Sequence, residues 1–209
     1  MDGEGGAPAL DPYSCQLAPC ALVGCTRVGN TARCSAGRGS CGCGPHWMCN
    51  AAAWALILGI TAAFNAFCGI RLHPGVVAAN LLSCLALAAA FALTSFSDPG
   101  YLPRQTPAQL ERQKAELAAG ATLPRGAPLD GATGVLMGDP MLEYTACSQC
   151  HVLRGRGTQH CYDCGLCVRE LDHHCPWSGR CIGTGNIAAF RWFLGLLLAH
   201  CIFTGVVRA

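Results

Sequence analysis

Cys147 to Asn186 reads CSQCHVLRGRGTQHCYDCGLCVRELDHHCPWSGRCIGTGN, with Asp172-His173-His174-Cys175 near its centre. As a spacing the run is C-x2-C-x9-H-C-x2-C-x2-C-x4-D-H-H-C-x5-C-x4-N. Cys147, Cys150, Cys161, Cys164, Cys167 and Cys181, with His160 and His174, are eight ligand candidates. A structural zinc ion closes a tetrahedron of such donors, so this set suffices for two ions. Cys175 and His173 are then left over, and they adjoin Asp172. Thiolate, imidazole and carboxylate are the parts of an activated nucleophile: the base eases formation of the thiolate, and the acid fixes the imidazolium. Spacing alone leaves two readings open. In one, the run is a zinc-only binding module with Asp172 and His173 as surface polar residues. In the other, zinc builds a scaffold around a reactive thiol. Neighbours in sequence need not meet in space.

These residues resemble the DHHC cysteine-rich domain of the protein S-acyltransferases, or palmitoyltransferases. The similarity continues outside the cysteines. SFSDPGYLPR, Ser95 to Arg104, is similar to the Asp-Pro-Gly motif that follows the second membrane span in that family. Together with LERQ, Leu110 to Gln113, it resembles the branch of Ras acyltransferases and their Golgi relatives. GNTARCSAGR, Gly29 to Arg38, resembles the short segment before the first span in the same branch. The resemblance covers roughly residues 27 to 207.

The resemblance implies an interleaved pair of structural zinc sites. Cys147, Cys150, His160 and Cys167 would hold one ion, and Cys161, Cys164, His174 and Cys181 the other. Cys175 would be the acyl-carrying nucleophile, His173 its base and Asp172 the residue that orients His173, with His174 a ligand. The implied reaction moves a long-chain acyl group from acyl-CoA, palmitoyl-CoA above all, to cysteines of membrane-associated protein substrates. A catalytically silent membrane scaffold with a partner-binding zinc domain is the alternative. It has no need of Asp172, His173 and Cys175 together. The chain departs from the family pattern at Gly155 and Gly157, where Pro and Arg are common, although Arg154 and Arg156 remain. It departs again at Arg180, where an Asn is usual. A cation there could help hold a thiolate or disturb a packed turn.

Composition agrees with a membrane protein: the chain is 52% hydrophobic and 12% charged. Uncharged apolar windows lie between His46 and Arg71, from Pro74 to Ser97 and from Trp192 to Val207. A helix needs about 20 apolar residues to cross the hydrocarbon core, which the third window reaches only if its helix begins near Ile187. The expected fold class is therefore membrane α-helical, with spans at 48–70, 74–97 and 187–207 and a cytosolic zinc-stabilised cysteine-rich domain at 144–186 between the second and third. Asn65, Asn80 and His200 fall inside the windows and are expected to bond across helices. Arg71 stands alone between the first two spans, whereas Arg33 and Arg38 precede the first and Arg104, Arg112 and Lys114 follow the second. The positive-inside rule then places the N-terminus and the central loop in the cytosol. That compartment is reducing, so zinc and free thiolate prevail over disulfides, and acyl-CoA is available there. The resembled branch points to Golgi or ER membrane.

The linker at 98–143 is rich in Ala, Gly, Pro and Leu, with a helical run near Pro107 to Ala119 in which Glu111 and Lys114 can pair. The zinc domain itself is too small for a large apolar core and depends on its metals. The cytosolic segment at 1–47 and the two residues after it are harder to read. Cysteines 15, 20, 25, 34, 41, 43 and 49 are seven of the chain's 17, and they lack C-x2-C spacing. Compositional drift is the plainest account, beside a third metal site or acylation at Cys43 or Cys49. No cleavable signal is expected before His46, where Asp2 and Glu4 replace a basic start. A net charge of +2 without a basic stripe excludes nucleic acid as a partner. The family has further spans and a C-terminal segment beyond the point matching Ala209, so the sequence is expected to be a truncated, inactive fragment.

Overall fold

Three long apolar helices carry the cysteine-rich hairpins at one end of a bundle. The structure, a computed structural model, describes residues 26–36, 39–118, 145–155 and 157–208. The helices are α1 (Trp47–Phe67), α2 (Pro74–Phe96) and α4 (Ile187–Arg208), with a short helix α3 (Pro107–Ala118) between the second and the last. The first, second and last are long and apolar enough to cross a membrane by length and composition. At about 1.5 Å rise per residue, the 21 residues of α1 reach about 31 Å, the thickness of a hydrocarbon core. The protein is an integral membrane protein of helical class.

Each helix boundary has a local cause. The ring of His73 accepts from Gly75 N–H at 3.1 Å and Pro74 follows it at the first helical position, so α2 begins there. Ser97 is extended and Pro99 cannot continue a helix, so α2 ends there. Thr106 and Gln109 cap α3 reciprocally: Gln109 Oε1 accepts from Thr106 N–H at 2.8 Å and Thr106 Oγ1 from Gln109 N–H at 3.3 Å. Lys114 meets Glu111 at 2.7 Å on that helix.

Buried residues on α2 fall at Asn80, Cys84, Leu87, Phe91 and Thr94, a three-four stripe facing the bundle. Phe91 packs between Trp54 of α1 and Phe193 of α4, with ring centroids 5.0 and 4.8 Å away. Leu81, Leu82 and Leu85, exposed on the other side, suit lipid. His200 joins all three helices, with Nδ1 2.8 Å from Ser83 Oγ and Nε2 3.3 Å from Thr61 Oγ1. Asn65 instead bonds within its own helix, to the Thr61 carbonyl at 2.8 Å, because an amide one turn on reaches that carbonyl more easily than a neighbouring helix.

The segment before α1 is ordered beyond what its composition announced. β1 (Thr26–Val28), β2 (Thr31–Ala36) and β3 (Gly39–Cys43) form an antiparallel sheet in that order. Cysteines 15, 20 and 25, and the linker from 119 to 144, lie outside the described residues. Among the described residues the cysteine-rich domain is three antiparallel hairpins: β4 (Thr145–Cys147) with β5 (Val152–Arg154), β6 (Gln159–Cys161) with β7 (Leu166–Val168), and β8 (His173–Cys175) with β9 (Arg180–Ile182).

An extended segment after α2 docks these hairpins. Asp98 Oδ1 accepts from Gly100 and Tyr101 N–H at 2.9 and 3.0 Å, turning the chain toward the domain. Tyr101 pairs with Val168, Leu102 N–H donates to the Cys167 carbonyl at 2.8 Å, and Gln105 N–H to the Cys150 carbonyl at 2.9 Å. Gly185 must lack a side chain there, since a Cβ would meet the Asp98 carbonyl oxygen at 2.1 Å. The fully buried Asn186 fastens the other side. Its amide donates to the Thr94 carbonyl at 3.1 Å and the Cys181 carbonyl at 3.0 Å, and its oxygen accepts from Gly183 N–H at 2.9 Å. Asn186→Ala strands three buried groups, each costing about 1–3 kcal/mol. It is expected to lower stability by roughly 3–5 kcal/mol, read as a large fall in the thermal midpoint of the detergent-solubilised protein.

Candidate metal centres and active site

Adjacent residues on a strand point to opposite faces, and this sorts the ligand candidates. On β6, His160 turns one way and Cys161 the other. His160 lies directly across from Cys167 on β7, and His174 directly across from Cys181 on β9. Each hairpin pair supplies an imidazole and a thiol to one side, and the C-x2-C turn of the preceding hairpin supplies two further thiols. Cys147, Cys150, His160 and Cys167 come together in one group, and Cys161, Cys164, His174 and Cys181 in another, with donor atoms within 4.8 Å of one another in each.

The geometry fits a tetrahedral ion. Sulfur at about 2.3 Å and nitrogen at about 2.0 Å from a shared zinc stand about 3.5 Å apart at tetrahedral corners. His160 Nδ1 is 3.6, 3.4 and 3.7 Å from the sulfurs of Cys147, Cys150 and Cys167. His174 Nδ1 is 3.5, 3.4 and 3.6 Å from those of Cys161, Cys164 and Cys181. All six cysteines are free thiols, with the Cys164 and Cys181 sulfurs 3.4 Å apart, well beyond a disulfide bond of about 2.05 Å. Both clusters could hold a metal ion.

Their electrostatics call for a cation. In the first cluster, the Cys167 thiol hydrogen-bonds to Cys150 and brings its pKa down to about 5, while the same bond and burial push Cys167 up. In the second, hydrogen bonds with Cys164 and Cys181 lower Cys161, and those with Cys161 and Cys164 raise Cys181. Crowded sulfurs cannot all shed protons unless a positive ion enters. Burial opposes charge on His174, yet the Cys161 and Cys164 sulfurs outweigh it and raise the ring to about 10. Tyr101 donates its hydroxyl to Cys164 Sγ at 3.1 Å, and burial together with the Cys164 sulfur raises the phenol well above its ordinary value. Sequence reading missed this tyrosine, although it adjoins the Asp98-Pro99-Gly100 motif. Arg104 is another missed contact, with Nη2 donating to the Gly165 carbonyl at 2.8 Å.

The remaining trio gathers on the opposite side of the third hairpin. On β8, His173 and Cys175 share one face and His174 takes the other, a consequence of two-residue periodicity. Asp172 Oδ2 holds His173 Nδ1 at 2.7 Å, leaving Nε2 outward. The His173 ring stands edge-on to Phe190 in the first turn of α4, with centroids 5.3 Å apart. Cys175 is largely buried at 8% exposure, whereas Asp172 and His173 remain open to solvent at 57% and 41% of their side-chain surface. A thiol and an imidazole paired with a carboxylate thus share one face of β8, where the cysteine-rich hairpins meet an apolar bundle.

Such a site belongs to a membrane protein whose Asp-His-His-Cys hairpin lies among two clusters that could hold metal ions. Residues 141–209 match the family model for the DHHC palmitoyltransferases. Palmitoyltransferase ZDHHC9 of Danio rerio is 33% identical over 155 residues, covering 71% of this chain and 39% of that protein. Palmitoyltransferase ZDHHC14 of Homo sapiens is 34% identical over 146 residues, 66% of this chain and 30% of that protein. Palmitoyltransferase ZDHHC18 of Homo sapiens is 35% identical over 119 residues, 56% of this chain and 29% of that protein. The chain carries a DHHC palmitoyltransferase domain over residues 141–209, and it spans under half the length of these relatives.

The placement of the two histidines makes a direct test. His174→Ala is expected to lose one metal ion and destabilise the domain, since binding energy there is also folding energy. His173→Ala is expected to retain both ions. Metal analysis of the purified variants decides, and the reverse pattern would exchange their assignments.

Proposed function

We propose that this chain is the membrane and cysteine-rich part of a protein S-acyltransferase that moves a long-chain acyl group, palmitoyl above all, from acyl-CoA to cysteines of membrane-associated proteins. One observation carries the reading. His174 turns into a metal cluster while the Asp172-paired His173 and Cys175 share the face that the clusters do not use. Two structural zinc ions are the fitting occupants of the clusters, and they would supply cross-links that hold the hairpins in register. Cys147, Cys150, His160 and Cys167 would hold one, and Cys161, Cys164, His174 and Cys181 the other.

Asp172 fixes the tautomer of His173, with the proton on Nδ1 and the Nε2 lone pair free. His173 Nε2 takes the proton of Cys175. The thiolate attacks the carbonyl carbon of the acyl-CoA thioester, the bond from that carbon to the CoA sulfur breaks, and the CoA thiolate leaves with the proton from His173. The same steps then run with a substrate cysteine as attacking thiol and Cys175 as leaving group. A thioester replaces a thioester each time, so no external energy source is needed. Trp177, 59% exposed in the turn of the same hairpin, and the apolar start of α4 offer surface to the acyl chain.

Cations cluster around the α1 start and beyond the α2 end, while Arg71 stands alone at the opposite side. That distribution favours a cytosolic cysteine-rich domain, where acyl-CoA is available. The resembled Gly29–Arg38 and Ser95–Arg104 segments favour Golgi or ER membrane. In membranes carrying the full-length protein, Cys175→Ser is expected to abolish hydroxylamine-sensitive self-acylation from labelled palmitoyl-CoA while metal content stays unchanged. Undiminished labelling would remove Cys175 from the mechanism and leave the scaffold reading standing.

A further inference from the structure

His46 lies 128 residues before His174, yet its Nδ1 is 2.9 Å from His174 Nε2. The two rings meet edge to face, with centroids 4.9 Å apart and planes at 61°. His46 stands at the position that caps α1, but its side chain makes no capping bond and reaches the second cluster instead. Donor counting fixes the direction of the contact. With an ion among the sulfurs of Cys161, Cys164 and Cys181 that His174 Nδ1 faces, the Nδ1 lone pair would be committed to the metal and the ring proton would sit on Nε2. The lone pair on His46 Nδ1 must then accept, and the His46 proton sits on Nε2.

We propose that His46 is the outer partner of the second metal cluster, accepting the Nε2 proton of His174 and so fixing the tautomer and ring angle in which His174 offers Nδ1 to the ion. The inference rests on the metal-binding reading of that cluster. Ligating histidines as a rule donate their second ring N–H to an acceptor, and His46 fills that place among the described residues.

The surrounding contacts keep it there. Asn50 N–H donates to the His46 carbonyl at 3.2 Å, and the Asn50 amide reaches both the Trp177 carbonyl at 3.2 Å and Ser95 Oγ at 2.9 Å. Gly44 is buried so close to the β8–β9 turn that a Cβ would meet the Gly179 carbonyl oxygen at 1.7 Å. The start of α1, the end of α2 and the turn following Cys175 are thus clasped together. His46 links this clasp to the ligand next to Cys175 and is a positioning residue, remote from the reacting atoms.

The test uses the full chain in lipid nanodiscs loaded with zinc, challenged with graded chelator and a maleimide, with alkylated cysteines mapped by mass spectrometry. His46→Phe keeps a ring but removes the acceptor. It is expected to expose Cys161, Cys164 and Cys181 at about 10–100-fold lower chelator strength, with Cys147, Cys150 and Cys167 unchanged. His46→Asn places an amide oxygen near the position of Nδ1 and is expected to restore protection. Unchanged protection in His46→Phe, equal loss at both clusters, or failure of His46→Asn to rescue would each overturn the assignment. A wild-type chain that takes up no zinc would overturn the metal reading itself, and this inference with it.

Discussion

Successive side chains on a β-strand face opposite ways, and the functional half of this protein depends on that constraint at two short strands. On β6 it sends His160 and Cys161 to different clusters. On β8 it parts His174 from His173 and Cys175. A helix would spread the same residues around a cylinder at about 100° intervals, and neither division would be clean. The interleaving of the clusters follows from the same rule. Each would staple the turn of one hairpin to the paired strands of the next, so no hairpin can shift register without pulling donors out of a tetrahedron. A one-residue slip on β8 would put His173 among the sulfurs and turn His174 to the other face.

Strands this short do not stand alone, and the clusters take the place of an apolar core. One buried group joins Cys161, Cys164 and Cys181 with Tyr101, Leu166 and Val168, and the other joins Cys147, Cys150 and Cys167 with Leu102 and Val152. Tyr101 and Leu102 are neighbours on an extended segment, and they too part to opposite clusters. The stretch leaving α2 is therefore a shared wall for both centres, and α2 ends where it does so that Asp98 can turn the chain onto that wall. The hairpin tip before α1 completes the enclosure: Asn30 N–H donates to the Cys164 carbonyl at 2.8 Å, and its amide to that of Asp163 at 3.0 Å.

Much of this was legible in the residues, and the parts that were not share a physical reason. Uncharged windows announce α1, α2 and α4, because a helix that meets lipid along its length is apolar all round. The C-x2-C pairs announce two clusters, because that spacing suits a tight turn around an ion. The division of labour at His173 and His174 came from family resemblance, although strand alternation would have supplied it once β8 was recognised. The strands at 26–28, 31–36 and 39–43 left no trace in periodicity, since their Gly-, Cys- and Arg-rich sequences carry no alternation of apolar and polar residues. Contacts such as Tyr101 to Cys164 and His46 to His174 span 63 and 128 residues, and no local pattern encodes a partner so far away.

Arg180 shows how a residue that looks disruptive in the sequence finds a place in the fold. It lies across from Cys175 on the hairpin and is 1% exposed, and an unpaired guanidinium so deeply buried would cost several kcal/mol. Its Nη1 donates to the Ser97 carbonyl, just past the last turn of α2. A helix C-terminus carries unsatisfied carbonyls and partial negative charge, so the cation meets the electrostatic demand of the helix end. The turn it might have disturbed is intact: the Ser178 hydroxyl bridges the Cys175 carbonyl at 3.1 Å and the Arg180 carbonyl at 3.2 Å. Arg180 therefore ties the strand opposite Cys175 to the end of a membrane helix. Asn186 ties the same hairpin to Thr94 one turn earlier, and His46 reaches it from α1. The thiol is thus held by contacts from α1 and α2 and followed closely by α4, so its position is set by the bundle as much as by the cysteine-rich hairpins that carry it.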